Sequence, residues 1–246
     1  MYSLNLGGSL LFTATSEFKV PGGKEYVRAI AVGGGGGGHG GNGGGGGSGK
    51  VDAGTIKVIP GSTYQVTVGA GGAGWEQGRS DLAGSASSFL NLKGDGGWPS
   101  GAVIGGNGGS GGGGGGHGSC IGGATAQGGI GGSAGKTCTI DLGGTGQGSY
   151  SNFLSMFTKS ILTAGQGGEH GLEKSSGTAY ISGGGAGGVL IDGKGPQGGD
   201  GSRKLGFGPG ARGGIGYGAG GGGGGYDGVN YSGGNGASGM VYIEWD

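Results

Sequence analysis

The stretch Tyr26-Val-Arg-Ala-Ile-Ala-Val-Gly-Gly-Gly-Gly-Gly-Gly38 joins an apolar segment directly to a run of glycines. Its first part, 26–32, favours a β-strand, because β-branched and aromatic side chains pack well on a pleated sheet. The glycines that follow add no side chain to an apolar core and cost more backbone entropy to order than other residues. The fold therefore has to combine a strand framework with glycine segments that side-chain packing does not hold.

Glycine dominates the whole chain, with 85 of 246 residues, whereas apolar residues make up only 31%. Ordinary globular domains are about 45–50% apolar, so a core of side chains alone must be thin. Collagen is excluded, because the glycines come in runs and not at every third position. A flexible linker is the simpler alternative, since ordering each residue costs about 1–2 kcal/mol of backbone entropy.

The third interpretation of the glycine runs is a bundle of polyglycine II helices. One such helix has about three residues per turn and no internal hydrogen bonds. Without Cβ atoms, neighbouring helices can approach until the N–H groups of one donate to the C=O groups of the next. We therefore expect a rigid core of main chain, provided that framing strands hold the helices in register.

Strand-like segments frame the glycine runs on both sides. The clearest predicted strands are 17–20, 26–32, 54–59, 63–68 and 240–246, and the weaker ones are 85–92, 102–104, 137–142, 178–182 and 189–192. Pro60-Gly-Ser62 predicts a hairpin turn between two of them. A segment that lacks glycine, near 151–163, has Phe153, Phe157 and Ile161 at helical spacing and predicts one short α-helix.

The predicted fold is thus mainly β, a β-sandwich-like framework that carries a bundle of polyglycine II helices and one short α-helix. We expect a single glycine-rich domain over residues 1–246. Its β framework comes from 1–32, 54–70 and 238–246, with polyglycine II passes between these parts.

Charge and hydropathy exclude several partners. The chain has 14 basic and 14 acidic residues and a formal net charge of zero, without a basic stripe, so no nucleic-acid partner is expected. No run approaches the roughly 18 apolar residues of a membrane-spanning helix, so no membrane insertion is expected. If Met1 is the native start, the missing basic n-region predicts that the usual export route is not used.

Catalytic signatures fail on their structural context. The pattern Gly-x-Ser-x-Gly occurs at 108–112 and 131–135, but inside glycine runs and not between a strand and a helix. The stretches 44–51 and 130–137 each lack a residue that a P-loop requires. Because the carboxylates are also scattered singly, we expect no enzyme and no cofactor.

The two cysteines, Cys120 and Cys138, allow three interpretations: buried thiols, a disulfide between them, or a zinc site. With His117, and with His39 as a further candidate ligand, they have tolerable spacing for zinc. The whole chain has only two cysteines and three histidines, however, and no second paired motif. We therefore expect no metal site.

Five aromatic residues interrupt glycine stretches and are the candidate receptor contacts: Trp75, Trp98, Tyr217, Tyr226 and Tyr231. If polyglycine II passes turn back at such breaks, these side chains cluster at the ends of the bundle. Rigid aromatic side chains on loops suit contact with a protein or a glycan. The alternative is that they only cap the bundle and keep water off its ends.

Four phrases together resemble the glycine-rich domain found in many phage tail fibres and bacterial surface proteins. They are Phe18-Lys-Val-Pro21, the opening stretch 26–38, the segment 58–72 and the closing segment 236–245. The resemblance implies a sandwich-like framework from which polyglycine II helices project. In phage adhesins of this architecture, loops at the bundle tip choose the host receptor.

The expected function is that of a non-enzymatic phage tail-fibre or tail-tip protein that attaches the virion to the host surface. Its expected partners are a host surface receptor, protein or glycan, other tail-fibre proteins and further copies of itself. Its expected location is the virion, which also fits the missing export signal. The alternative is an extracellular structural or filament-forming surface protein. A third option, an ice-binding protein, would need a flat Thr or Ala face at every third residue, which we do not find.

Overall fold

The computed structural model describes residues 7–41, 43–76, 82–101, 104–108, 157, 162–164, 171–175, 178–182, 185, 187–191, 216–224 and 230–246. These residues contain β-strands and no helix. The strands are β1 Gly8–Phe12, β2 Ser16–Lys19, β3 Tyr26–Val32, β4 Val51–Lys57, β5 Thr63–Thr67, β6 Ser87–Phe89, β7 Leu92–Gly94, β8 Leu162–Ala164, β9 Gly171–Ser175, β10 Thr178–Ser182, β11 Val189–Ile191 and β12 Met240–Trp245.

Two four-stranded antiparallel sheets form the framework. The first sheet has the order β1-β12-β3-β4, and the second sheet has the order β2-β5-β6-β7. In the first sheet, Ile30 of β3 lies between Tyr242 of β12 and Ala53 of β4. Two shorter antiparallel pairs, β9 with β10 and β8 with β11, lie in the later part of the chain. The protein is therefore mainly β, as predicted.

The two four-stranded sheets share one apolar cluster. It joins alternate residues of β3 and β12 to side chains of the second sheet: Phe18, Val20, Val27, Ala29, Ala31, Ile56, Val58, Val66, Phe89, Leu92, Val241 and Ile243. The rings of Phe18 and Phe89 meet edge to face, with centroids 5.8 Å apart. Because successive strand residues point to opposite faces, this cluster accounts for only half of the apolar residues of β3.

Two further apolar residues of β3 are buried on the outer face of the first sheet. Ile30 and Val32 pack there in a second cluster with Val51, Met240 and Tyr242. Phe157 covers this cluster, and its ring contacts Tyr242 edge to face with centroids 5.6 Å apart. Burial on both faces explains why β3 is almost continuously apolar in sequence.

Several strand predictions are confirmed. β3 coincides with the predicted 26–32, and β5, β10, β11 and β12 fall within their predicted ranges. A turn is present at 60–62, where Ser62 N donates to Ile59 O at 3.1 Å. The predicted hairpin is wrong, because β4 pairs in the first sheet and β5 in the second, so the turn carries the chain from one sheet to the other. β4 begins earlier than predicted, and 85–92 is divided between β6 and β7 by a turn at Leu90.

The predicted helix near 151–163 is wrong at its carboxyl end, because Leu162 and Thr163 belong to strand β8. They pair with Ile191 and Leu190 of β11. The helical spacing of the apolar residues does not reveal this partner, since it comes from a distant part of the chain. Phe157 lies in a bend, and the other residues of the predicted helix lie outside the described residues.

The glycine segments extend from one end of the two sheets and pack together. We call them the glycine array, which comprises 33–39, 43–50, 69–75, 82–86, 95–101, 104–108, 216–224 and 230–239. The segments 33–39, 69–75 and 95–101 leave the ends of β3, β5 and β7, and 43–50, 82–86 and 230–239 lead into β4, β6 and β12.

The central segment of the array is 33–38, and its N–H groups donate to three neighbours in turn. Gly33 and Gly36 donate to 43–50, Gly34 and Gly37 to 82–86, and Gly35 and Gly38 to 230–239. All six N···O distances are 2.9–3.0 Å. The donor pattern therefore repeats every three residues.

The carbonyl groups of the same segment follow the same period toward three other neighbours. Those of Gly34 and Gly37 accept from 95–101, those of Gly35 and Gly38 from 69–75, and those of Gly36 and His39 from 216–224. The segment donates to antiparallel neighbours and accepts from parallel ones, so six segments surround it.

The central segment has no room for side chains. A Cβ atom added at any of Gly33 to Gly38 would overlap a backbone carbonyl oxygen of a neighbouring segment. These glycines are thus bound on every side, and the linker interpretation does not apply to them.

Candidate functional site at the distal end of the glycine array

Several segments of the array meet at the end farthest from the sheets. Segment 33–39 returns there as 43–50, and Gly224 and Tyr231 lie next to this return. Gly41 N donates to Tyr231 O at 3.3 Å, and Gly43 N donates to Gly224 O at 3.1 Å. We call the residues 39–41, 75–76 and 230–231, with the nearby Ser100, the distal end.

An aromatic pair is the main side-chain feature of the distal end. The rings of His39 and Trp75 are stacked, with centroids 5.8 Å apart and an interplanar angle of 22°. A side chain at position 40 would overlap the Trp75 indole, so Gly40 is what lets the ring lie against the backbone. His39 Nδ1 lies 2.7 Å from Gly40 O. In the tautomer that carries its proton on Nδ1, this nitrogen donates a hydrogen bond to that oxygen.

Backbone bonds fix this pair from several segments. Trp75 N donates to Gly38 O, and Trp75 O accepts from Gly233 N, both at 2.9 Å. His39 O accepts from Gly224 N at 2.7 Å. The two rings are therefore held on a scaffold of several segments and not on a free loop.

Ser100 ties a further segment to the distal end. Its buried side chain accepts a hydrogen bond from His39 N at 2.8 Å and donates one to Gly44 O. The hydroxyl thus adds to the direct bond from His39 N to Gly44 O, at 3.1 Å, and links 95–101 to both of these residues. Near Ser100, the residues Glu76 and Asn230 are exposed, whereas His39, Trp75 and Tyr231 are half-buried.

The structure separates the predicted receptor contacts. Trp75 and Tyr231 lie at the distal end, as expected for residues at turns. Trp98 does not, since it lies on the flank of the array with 63% of its surface exposed. Its carbonyl accepts from Gly47 N at 3.1 Å, and Gly47 in turn accepts from Gly36 in the middle of the central segment.

Tyr217 lies at the base of the array, where it packs half-buried against the outer cluster of the first sheet. The expectation that aromatic residues mark the ends thus fails for Trp98, because an outward-facing position on a glycine segment also admits a large side chain. Tyr226, Cys120 and Cys138 lie outside the described residues.

Sequence reasoning did not select His39, Ser100 or Asn230 as site residues. His39 carries the same signal as the aromatic candidates, since it interrupts a glycine run directly after Gly38. Ser100 and Asn230 carry no such signal. Their role depends on which segments the tertiary structure brings together.

Most charged contacts lie away from this end, in or next to the sheets. Arg28 donates to Glu244 at 2.9 Å and to both carboxylate oxygens of Asp246 at 2.6 and 3.0 Å. The hydrogen bond with Asp246 raises the pKa of Arg28 and lowers the pKa of Asp246. Burial raises the pKa of Tyr242, whose hydroxyl donates to Glu244.

The described part of the chain lacks two further kinds of feature, a metal-binding cluster and a membrane-spanning helix. It contains no group of three or more His, Cys, Asp or Glu side chains placed to hold a metal ion. It also contains no helix long and apolar enough to cross a membrane.

Comparison with known proteins places the chain in a family. No curated protein matches it. The model of the family described as glycine-rich domain matches residues 12–246, from the end of β1 to the last residue. This match covers the whole array, the distal end and every strand of the two sheets except most of β1, so the chain belongs to the glycine-rich domain family.

Proposed function

We propose that this protein is a non-enzymatic attachment protein of a phage tail fibre or tail tip. In this proposal the two sheets form a β-sandwich-like framework, and the glycine array is a bundle of polyglycine II helices that carries the receptor-binding end. The host receptor is a surface protein or glycan, and the protein resides on the virion.

The hydrogen-bond period supports the helical part of the proposal. Polyglycine II has about three residues per turn, and the partners of segment 33–38 recur every three residues in both donors and acceptors. Six surrounding segments are what such a helix needs to satisfy all its N–H and C=O groups. With a rise of about 3.1 Å per residue, six residues give a stiff arm of roughly 19 Å.

One observation carries the attachment role. Segment 33–39 turns back at the distal end, where His39, Trp75 and Tyr231 are held together by backbone bonds from several segments. Side chains that are ordered before binding lose little entropy on binding. Half-buried aromatic residues at such a place are typical anchors of a binding surface.

The test compares two tryptophan variants of the full chain. We expect the purified protein to bind cells of susceptible bacteria and to block infection. Trp75→Ala should weaken cell binding at least about tenfold, which corresponds to roughly 1.4 kcal/mol. Trp98→Ala is the matched control, because it removes the same side chain from the flank, and it should retain binding.

Two results would count against the proposal. Binding that Trp75→Ala leaves unchanged, or weakens less than Trp98→Ala does, would show that the distal end is not the contact surface. Absence of binding to every strain of a broad panel, with filaments forming instead, would favour the alternative of a filament-forming surface protein.

A further inference from the structure

Among the described residues, strand β1 lies at one edge of the first sheet. It pairs with β12 on one side, and no strand of the described residues pairs with its other side. An edge strand presents backbone N–H and C=O groups that can pair with a strand of another chain. Proteins usually protect such edges with charged residues, proline or shortness.

The other three edge strands of the two sheets have such protection. β4 carries Asp52 and Lys57, β2 carries Glu17 and Lys19, and β7 is a three-residue strand with Lys93 at its centre. β1, with the sequence Gly-Ser-Leu-Leu-Phe, contains no charge and no proline. It alone among these four edges lacks a feature that opposes pairing.

Two leucines of β1 are exposed on opposite faces of the sheet. Leu10 is 47% exposed and lies beside Ile243, and Leu11 is 37% exposed and lies beside Tyr242. A further strand on this edge would extend both faces of the sheet and cover both side chains. Backbone pairing and apolar burial therefore both favour the addition of a strand to this edge.

We propose that β1 pairs in antiparallel register with β1 of a second copy of this chain, so that two first sheets form one continuous eight-stranded sheet. A two-fold axis at Leu10, the middle of the five-residue strand, pairs all its residues. Leu10 then lies opposite Leu10 of the second copy, and Ser9 lies opposite Leu11. No like charges meet, since the strand has none.

This inference does not rest on the proposed function. It predicts a two-fold dimer whose glycine arrays point in opposite directions, because the paired strands are antiparallel. A stable interface usually buries about 1,200–2,000 Å² of accessible surface. The pairing of two five-residue strands buries less than that. We therefore expect reversible dimerisation, with a dissociation constant on the order of micromolar or weaker.

Sedimentation of the full chain over a concentration series is the first test. The mean mass should rise from that of one chain, 22.9 kDa, toward twice that value. Leu10→Lys should weaken association at least about tenfold, because a lysine then lies opposite a lysine on the two-fold axis. Leu82→Lys is the control, since Leu82 is 55% exposed on the array, and it should leave association unchanged.

Cysteine cross-linking tests the register. In a chain with Cys120→Ser and Cys138→Ser, Leu10→Cys should form a disulfide-linked dimer, since directly opposite residues have Cβ atoms about 4.5–5.5 Å apart. Leu11→Cys should not, because its counterpart in the second copy is two positions away along the strand, about 7–8 Å.

Three outcomes would overturn the proposal. The first two are a monomer at every concentration and a dimer that Leu10→Lys leaves unchanged. The third is a Leu10→Cys variant that forms its disulfide only with a different protein, which would assign the edge to a foreign strand. Host-cell binding by Leu10→Lys is measured in parallel. Loss of the dimer with retained binding would leave the proposed function standing.

Discussion

At the scale of single residues, the central glycines are limited by space and not by backbone conformation. Gly36 is the best example, because a Cβ atom there would overlap the carbonyl oxygen of Trp98. That oxygen belongs to main chain that is already hydrogen-bonded to Gly47, so it cannot move aside cheaply. An added methyl group would force two segments apart.

We therefore expect Gly36→Ala to destabilise the fold by about 3 kcal/mol or more, at the upper end of overpacking substitutions. Urea unfolding measures this. Gly22→Ala is the matched control, because nothing lies within 4 Å of its Cβ position and its φ is not in the left-handed region. The control should be neutral or stabilise by about 0.4–1 kcal/mol. Equal behaviour of the two variants would contradict the packing described for the array.

At the scale of elements, the hairpin between β6 and β7 contains a local strain. Leu90 in its turn has a φ of 51°, in the left-handed region that costs a residue with a side chain about 1–2 kcal/mol. Its side chain is exposed, so little burial compensates this cost. The hairpin holds both Phe89 and Leu92 in the cluster between the sheets, which is why the strain is tolerated.

Leu90→Gly should accordingly stabilise the protein by about 0.5–1 kcal/mol, the relief of strain less the extra entropy of glycine. Thermal unfolding should show a higher midpoint. Leu82→Gly serves as the control, because Leu82 is exposed but has an ordinary φ, and the same substitution there should not stabilise. An unchanged or lower midpoint for Leu90→Gly would refute the account of the turn.

At the scale of the whole molecule, the two sheets form the base of the glycine array, and the stability of this base depends on pH through Tyr242. The phenol of Tyr242 is buried in the outer cluster of the first sheet, and burial raises its pKa above the ordinary value of 10.0. Because the folded pKa lies above the unfolded one, folding favours the neutral phenol. This contribution is complete below pH 10 and is lost as the pH rises through the folded pKa.

We expect the free energy of unfolding to fall above pH 10 more steeply in the wild type than in Tyr242→Phe. Urea unfolding at several pH values from about 8 to about 11.5 gives both curves, and their difference isolates Tyr242 from the other tyrosines and lysines. Parallel curves for the two proteins would show that Tyr242 does not titrate as a buried group.

Part of this organisation could be predicted from local sequence. β3 and β12 followed from β-branched and aromatic residues next to glycine, and Trp75 and Tyr231 followed from breaks in the glycine runs. Trp98 gave the same signal but lies on the flank. Leu162 and Thr163 matched a helical period but pair with β11. In both cases a distant segment decides the outcome, and local spacing contains no information about it.

The sequence by itself determined that this protein has framing strands and a core in which glycine replaces side chains. Those features depend on local propensity and on the absence of Cβ atoms, which composition shows directly. Only the tertiary structure decided which six segments surround 33–38 and that His39 stacks on Trp75. The physical reason is that identical glycines carry no side chains to specify their partners. The strands set the register of the segments attached to them, such as 43–50 before β4 and 230–239 before β12.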